Sequence, residues 1–243
     1  MRLAYFLTPV TAYLPRYASS WVVRVAAARS ASPAALATAP EAVLGTATNA
    51  TAYGVTARLT DLSPALAGCA FFNNPAIAAL DIRLYLVAEC MEFDGGAVSA
   101  ARSRIVVFRT LPQGPAPGWT WEYVGVLAGR ALAQELGAER LVSPEISRAS
   151  EGSLLFLAAA QSGAALLGQG CVALELASLD PPTIRRGPTG SPVVRASQTA
   201  TADAGWHTGA CSHDAASTSG IVSVAATTAG GLRAELLSTG LRP

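Results

Sequence analysis

Lysine is missing altogether: all 17 basic residues of the 243-residue chain are arginine, set against 16 acidic residues for a formal net charge of +1. Only 14% of residues are charged and neither sign dominates. The chain therefore lacks the basic stripe that tracks a phosphate backbone, which excludes nucleic acid as a partner. Low charge beside 51% hydrophobic residues also excludes intrinsic disorder, because that much apolar surface has to be buried. Long hydrophobic runs are missing too. The longest, such as Leu154–Ala160, stop after seven residues. A membrane-crossing helix needs about 18, so no transmembrane segment is expected.

An export signal is incomplete. Met1–Leu7 carries one positive charge and a few apolar residues, but Thr8, Pro9, Thr11 and Pro15 interrupt it before an apolar core forms. The compartment follows from the true N-terminus: extracytoplasmic with an export signal, cytoplasmic without one. Cys-x-x-Cys spacing is also absent. Cys69, Cys90, Cys171 and Cys211 lie far apart, which argues against a zinc ribbon or a thioredoxin-type site. In a strand-rich core they are expected as buried free thiols. One disulfide is the alternative in an exported chain.

What the chain does have is strands. Runs of five to nine residues rich in Val, Ile, Leu, Phe and Tyr recur between Gly, Pro, Ser and Asp: Trp21–Ala27, Arg83–Ala88, Arg104–Thr110, Trp119–Leu127, Leu154–Ala159, Val172–Leu176, Ile221–Ala225 and Leu232–Ser238. That pattern predicts an all-β domain. Only Gly129–Leu136 and Ser32–Leu44 read as helical.

Three segments share a plan of strand, Asp/Glu/Gly turn, strand. Asn74-Pro75-Ala76-Ile77 leads to Asp81 and Leu84-Tyr85-Leu86, Pro144-Glu145-Ile146 to Glu151-Gly152 and Leu154-Leu155-Phe156, and His213-Asp214 to Gly220 and Ile221-Val222. Pro75, Pro144 and His213 stand 69 residues apart in both cases (144 − 75 and 213 − 144). Each period holds about four short antiparallel strands, the pattern of a β-propeller blade; a sandwich-type repeat is the competing reading. The blade segments fall at about 1–65, 66–135, 136–200 and 201–243 of a single domain. In that register Arg2–Leu7 is a second strand and Trp21–Ala27 a third, so the innermost strand of the first blade would precede Met1. At 69 residues per blade, 243 residues make roughly three and a half blades.

Phe72-Asn73-Asn74-Pro75-x-Ile77, Ser143-Pro144-Glu145-Ile146 with Glu151-Gly152-Ser153-Leu154-Leu155, and Gly118-Trp119-x-Trp121-x-Tyr123-x-Gly125-x-Leu127 carry a resemblance. In order and blade register they resemble the five-bladed propeller glycoside hydrolases, the arabinanase, β-xylosidase and arabinofuranosidase group. The resemblance covers about Phe71 to Gly220. It implies three inner-strand carboxylates facing a central funnel: an Asp base, a second Asp that tunes and orients, and a Glu acid in a Pro-Glu step. One carboxyl must arrive protonated at the leaving oxygen while another, ionised, activates water.

On that resemblance Glu145 matches the acid. Asn74 stands where Asp-Pro is expected, and an amide holds a hydroxyl or a water but takes no proton. Asp214, at Glu145 plus 69, completes the one catalytic dyad that can be built. The stretch Gly205–Asp214 holds both histidines and Trp206 among small residues. Trp206 is expected to stack on a sugar, with Asn74, His207 and His213 bonding its hydroxyls. A metal on His207, His213 and Asp214 is a weaker reading, and neither metal nor cofactor is expected. Arg148 is expected to pair with Glu145 or Glu151, and Glu89–Asp94 to form a solvated, carboxylate-rich loop. The expected partner is a carbohydrate, either hydrolysed or, in a degenerate propeller, bound without turnover.

Overall fold

The structure is a computed structural model; it describes residues 2–9, 21–28, 33–36, 38–47, 54–99, 101–111, 116–149, 151–162, 167–199, 207–213, 221–228 and 231–238. Sheet 1 runs β1 (Arg2–Pro9), β2 (Trp21–Ala28), β3 (Glu41–Gly45) and β4 (Ala57–Arg58), antiparallel except for the short parallel β4. Sheet 2 holds β5 (Phe71–Leu80) and β6 (Arg83–Met91), followed in the chain by the small hairpin β7 (Phe93–Asp94) and β8 (Ala97–Val98). It is completed by β9 (Arg104–Thr110) and β10 (Trp121–Ala128), in the order β5-β6-β9-β10. Helix α1 (Arg130–Glu135) then leads to sheet 3: β11 (Arg140–Arg148), β12 (Leu154–Ser162) and β13 (Leu167–Leu179), with β14 (Pro182–Ile184) and β15 (Val194–Thr199) both paired to β13. Sheet 4 is β16 (His207–His213), β17 (Ile221–Thr228) and β18 (Gly231–Ser238).

Side-chain alternation explains the stacking. Along β6, Leu84, Leu86, Ala88 and Cys90 pack toward sheet 1, whereas Tyr85 and Val87 pack toward sheet 3. Along β12, Phe156 and Ala158 turn to sheet 2, and Leu155, Leu157 and Ala159 to sheet 4. A central strand buried on both faces reads as a continuous apolar run, which is why these segments lack polar alternation. Successive antiparallel meanders packed face to face, with β5 against β11 and β11 against β16, form the blades of an all-β propeller. Among the described residues no helix is long and apolar enough to cross a membrane.

Two expectations change. Ser32–Leu44 is no helix: a single 3-10 turn at Pro33–Leu36 gives way to β3, where Leu44 pairs with Val23 and Ala42 with Val25. Sheet pairing overrides the helix propensity of an alanine-rich stretch. Nor are the cysteines free: Cys69 is joined to Cys90 and Cys171 to Cys211, with Cα separations of 5.2 and 5.7 Å. The first bond fastens the approach to β5 onto β6; the second ties β13 of sheet 3 to β16 of sheet 4.

Sheets 2 and 3 come close together at Gly125 on β10, where an added Cβ would lie 3.0 Å from Pro182 Cδ at the start of β14. The proline ring cannot swing aside. Gly125→Ala is expected to cost about 1 kcal/mol and Gly125→Val up to about 3 kcal/mol, read as a lowered urea midpoint. An unchanged midpoint for the valine variant would show that the sheets separate freely there.

Candidate functional site

The site begins with two matching irregularities. β5 pairs with β6 at Asn73↔Glu89 and resumes at Ala76↔Val87, so Asn74 and Pro75 together oppose Ala88. β11 does the same against β12: after Val142↔Ala159 comes Glu145↔Leu157, with Ser143 and Pro144 opposing Ala158. Each is a β-bulge. The residue before each proline has a left-handed backbone, φ +44° at Asn74 and +51° at Ser143. Proline makes the right-handed region unfavourable for its predecessor, and asparagine tolerates the left-handed one.

The extra residue reverses which side of the strand follows. Val142 packs between sheets 3 and 4, yet Ile146 packs toward sheet 2, so Glu145 and Ser147 face sheet 4. Without the bulge Glu145 would point into the apolar core between sheets 2 and 3. The first 69-residue interval is therefore structural. The second is not: the irregularity of β16 lies between Thr208 and Ala210, so His213 belongs to no third bulge.

Glu145 is partly buried and meets β16. Its Oε1 accepts the His213 backbone N–H at 3.2 Å, and its side chain hydrogen-bonds Ser212. Burial pushes its pKa above the ordinary value, against the lowering effect of those two bonds. His213 is buried at 5% exposure, with Nδ1 2.9 Å from Ser147 Oγ. Ser147 follows Glu145 by two residues on the same face, a strand periodicity that would have pointed to it.

Glu89, expected in a solvated loop, is instead 3% exposed on β6. Its Oε1 accepts both Asn74 Nδ2 and the Ser143 backbone N–H at 2.6 Å, and Asn74 Nδ2 also reaches Ser143 Oγ at 3.2 Å. Burial raises its pKa; the Ser143 and Asn74 bonds and the charge of Arg140 oppose the rise. Further along the same stretch Glu92 pairs with Arg104 and Asp94 with Arg102.

The other expected residues are distributed differently. Trp206 and Asp214 lie outside the described residues. His207 and His213 occupy opposite ends of β16, six residues or about 20 Å apart, so one metal cannot bind both. Among the described residues no group of three or more His, Cys, Asp or Glu is placed to hold a metal ion. Arg148 pairs with neither glutamate: it donates to the Gly152 carbonyl at 2.8 Å, while Glu151 takes Arg195 at 2.5 Å.

These carboxyls set a pH dependence of stability. Glu89 and Glu145 hold their protons more tightly folded than unfolded, where the ordinary value is 4.5. Their contribution is present in full below that value and is lost as pH rises through the raised folded values. Glu151 acts oppositely: its own backbone N–H, the Ser153 hydroxyl and Arg195 lower it to about 2, so its contribution fades only as pH falls toward that value. Urea midpoints are expected to decline from pH 4.5 toward neutrality, and to decline less in Glu89→Gln. A midpoint rising over that range in both proteins would contradict this.

No protein-family model and no curated protein sequence matches the chain. Among solved structures it is similar to a GH43_1 enzyme from Xanthomonas citri complexed with xylose, at 15% identity and a TM-score of 0.41, covering 63% of this chain and 39% of that one. It is also similar to an exo-β-1,3-galactanase from Clostridium thermocellum, at 15% identity and a TM-score of 0.44, over 70% of this chain and 35% of that one. An α-L-arabinanase from Cellvibrio cellulosa complexed with arabinohexaose matches at 11% identity and a TM-score of 0.45, over 96% of this chain and 68% of that one. The chain thus spans less than half the length of the first two enzymes, and its likeness to all three is one of chain path, which passes no residue role to it.

Proposed function

We propose that this propeller protein binds a glycan where β5, β11 and β16 converge and cleaves a glycosidic bond there, with Glu145 as general acid. The observation that supports this is Glu145 itself. A bulge turns it out of the apolar core, β16 fixes its direction, and burial keeps it protonated to higher pH than an ordinary glutamate. A proton donor to a departing sugar oxygen needs those properties. Asp214 is the partner the sequence offers as base or orienting carboxylate. The two disulfides fit an oxidising compartment, where such bonds persist.

A second reading, binding without turnover, draws support from Asn74, an amide at a position the motif resemblance gives to a carboxylate. Glu89, beneath it, is shut away from solvent. Titration with xylo- and arabino-oligosaccharides, followed by calorimetry and by product analysis, separates the readings. Binding with release of shorter sugars is expected; binding with no product would favour the second, and no binding would overturn both.

A further inference from the structure

Glu89 is out of place as a core residue. Its neighbours on β6, from Leu84 to Met91, are otherwise apolar and buried, and a carboxyl there is costly unless it is bonded. It shares the face of Tyr85 and Val87, which is the side of β11. The bulge takes Ser143 out of the β11–β12 pairing, so its backbone N–H needs an acceptor from elsewhere. Glu89 Oε1 is that acceptor, at 2.6 Å, and the same oxygen holds Asn74 Nδ2 of the other bulge. Ser143 is two residues before Glu145.

The geometry points to Glu89 as a positioning residue: by holding Asn74 of sheet 2 and the Ser143 N–H of sheet 3 on one oxygen, it fixes the paired bulges and so the direction in which Glu145 leaves β11. The assignment rests on the reading of Glu145 as the working carboxyl. The role requires an acceptor at full side-chain length and does not require a charge. Glutamine meets that requirement. Aspartate keeps the charge but draws the oxygen back by one methylene, about 1.5 Å, too far to reach both donors.

The test compares the full-length protein with Glu89→Gln and Glu89→Asp, two substitutions mild enough to leave the fold in place. Nuclear magnetic resonance reads the exchange rate of the Ser143 amide and the titration midpoint of the Glu145 carboxyl. In Glu89→Gln both are expected to match the wild type. In Glu89→Asp the Ser143 amide is expected to exchange at least about tenfold faster, as for a lost buried hydrogen bond. The Glu145 midpoint should fall toward the ordinary 4.5 as the loosened bulge admits water. The role is overturned if Asp behaves as wild type, if Gln behaves as Asp, or if Ser143 exchange changes while the Glu145 midpoint stays put. Neither readout depends on activity. Should glycan binding and hydrolysis both fail, the proposed function falls and these measurements still decide what Glu89 does.

Discussion

Replacing Cys171 and Cys211 together with alanine is expected to lower folding stability by about 4 kcal/mol, the loop-closure entropy of a 40-residue cross-link. The Cys69–Cys90 bond closes 21 residues and is worth about 3.3 kcal/mol on the same scale. The two losses differ in consequence. Cys69–Cys90 lies within the sheet 2 region, whereas Cys171–Cys211 is a covalent tie between sheets 3 and 4, set in an apolar cluster with Leu155, Leu157 and Ala159. Cys211 is two residues from His213, which gives Glu145 its backbone donor and meets Ser147. Cutting the tie should therefore loosen β16 from β11 as well as destabilise the whole. Denaturation in urea with and without a thiol reductant checks the first part. A loss below about 1 kcal/mol in the double variant would mean that packing alone holds the sheets together.

The parts of this architecture that could be read from sequence are those written in local chemistry. Strands such as Arg104–Thr110 and Leu154–Ser162 announce themselves as apolar runs between turn residues. The repeat was visible because each of the first two bulges carries a residue-proline step, Asn74-Pro75 and Ser143-Pro144, at the same place in its sheet. The third member of the series has no proline, and equal spacing misled. His213 falls on the interval by number only: the irregularity of β16 lies between Thr208 and Ala210, and none stands at His213.

Partners set by tertiary contact were harder to see. Glu89 bonds residues 15 positions before and 54 after it, while its own neighbourhood, Glu89-Cys90-Met91-Glu92-Phe93-Asp94, looks like a solvated turn. Parity with Tyr85 and Val87 was the one local clue to its burial. Cysteine pairing was likewise beyond reach, since four cysteines allow several connectivities and spacing does not choose among them. The bonds run where β6 meets the approach to β5 and where β13 meets β16, contacts that arise only once the sheets are stacked.

Glu145→Gln is expected to slow hydrolysis of oligosaccharides by about 10²- to 10⁴-fold, the usual contribution of a positioned proton donor. Glutamine is nearly the same size and its oxygen still accepts the His213 N–H, so stability should hold and glycan affinity should change little. The decisive comparison is between leaving groups. A sugar alkoxide needs the proton as it departs, whereas an activated aryl oxide leaves without it, so aryl glycosides should lose far less rate than oligosaccharides. The pH profile gives a second signature. A general acid works only while protonated, so wild-type activity should fall as pH rises through the raised Glu145 value, and that limb should vanish in the glutamine variant. Equal losses on both substrate types would assign Glu145 to some other step. If neither protein turns over any glycan and both bind it equally well, the carboxyl serves recognition alone, and the amide at Asn74 marks a propeller that keeps its ligand without cutting it.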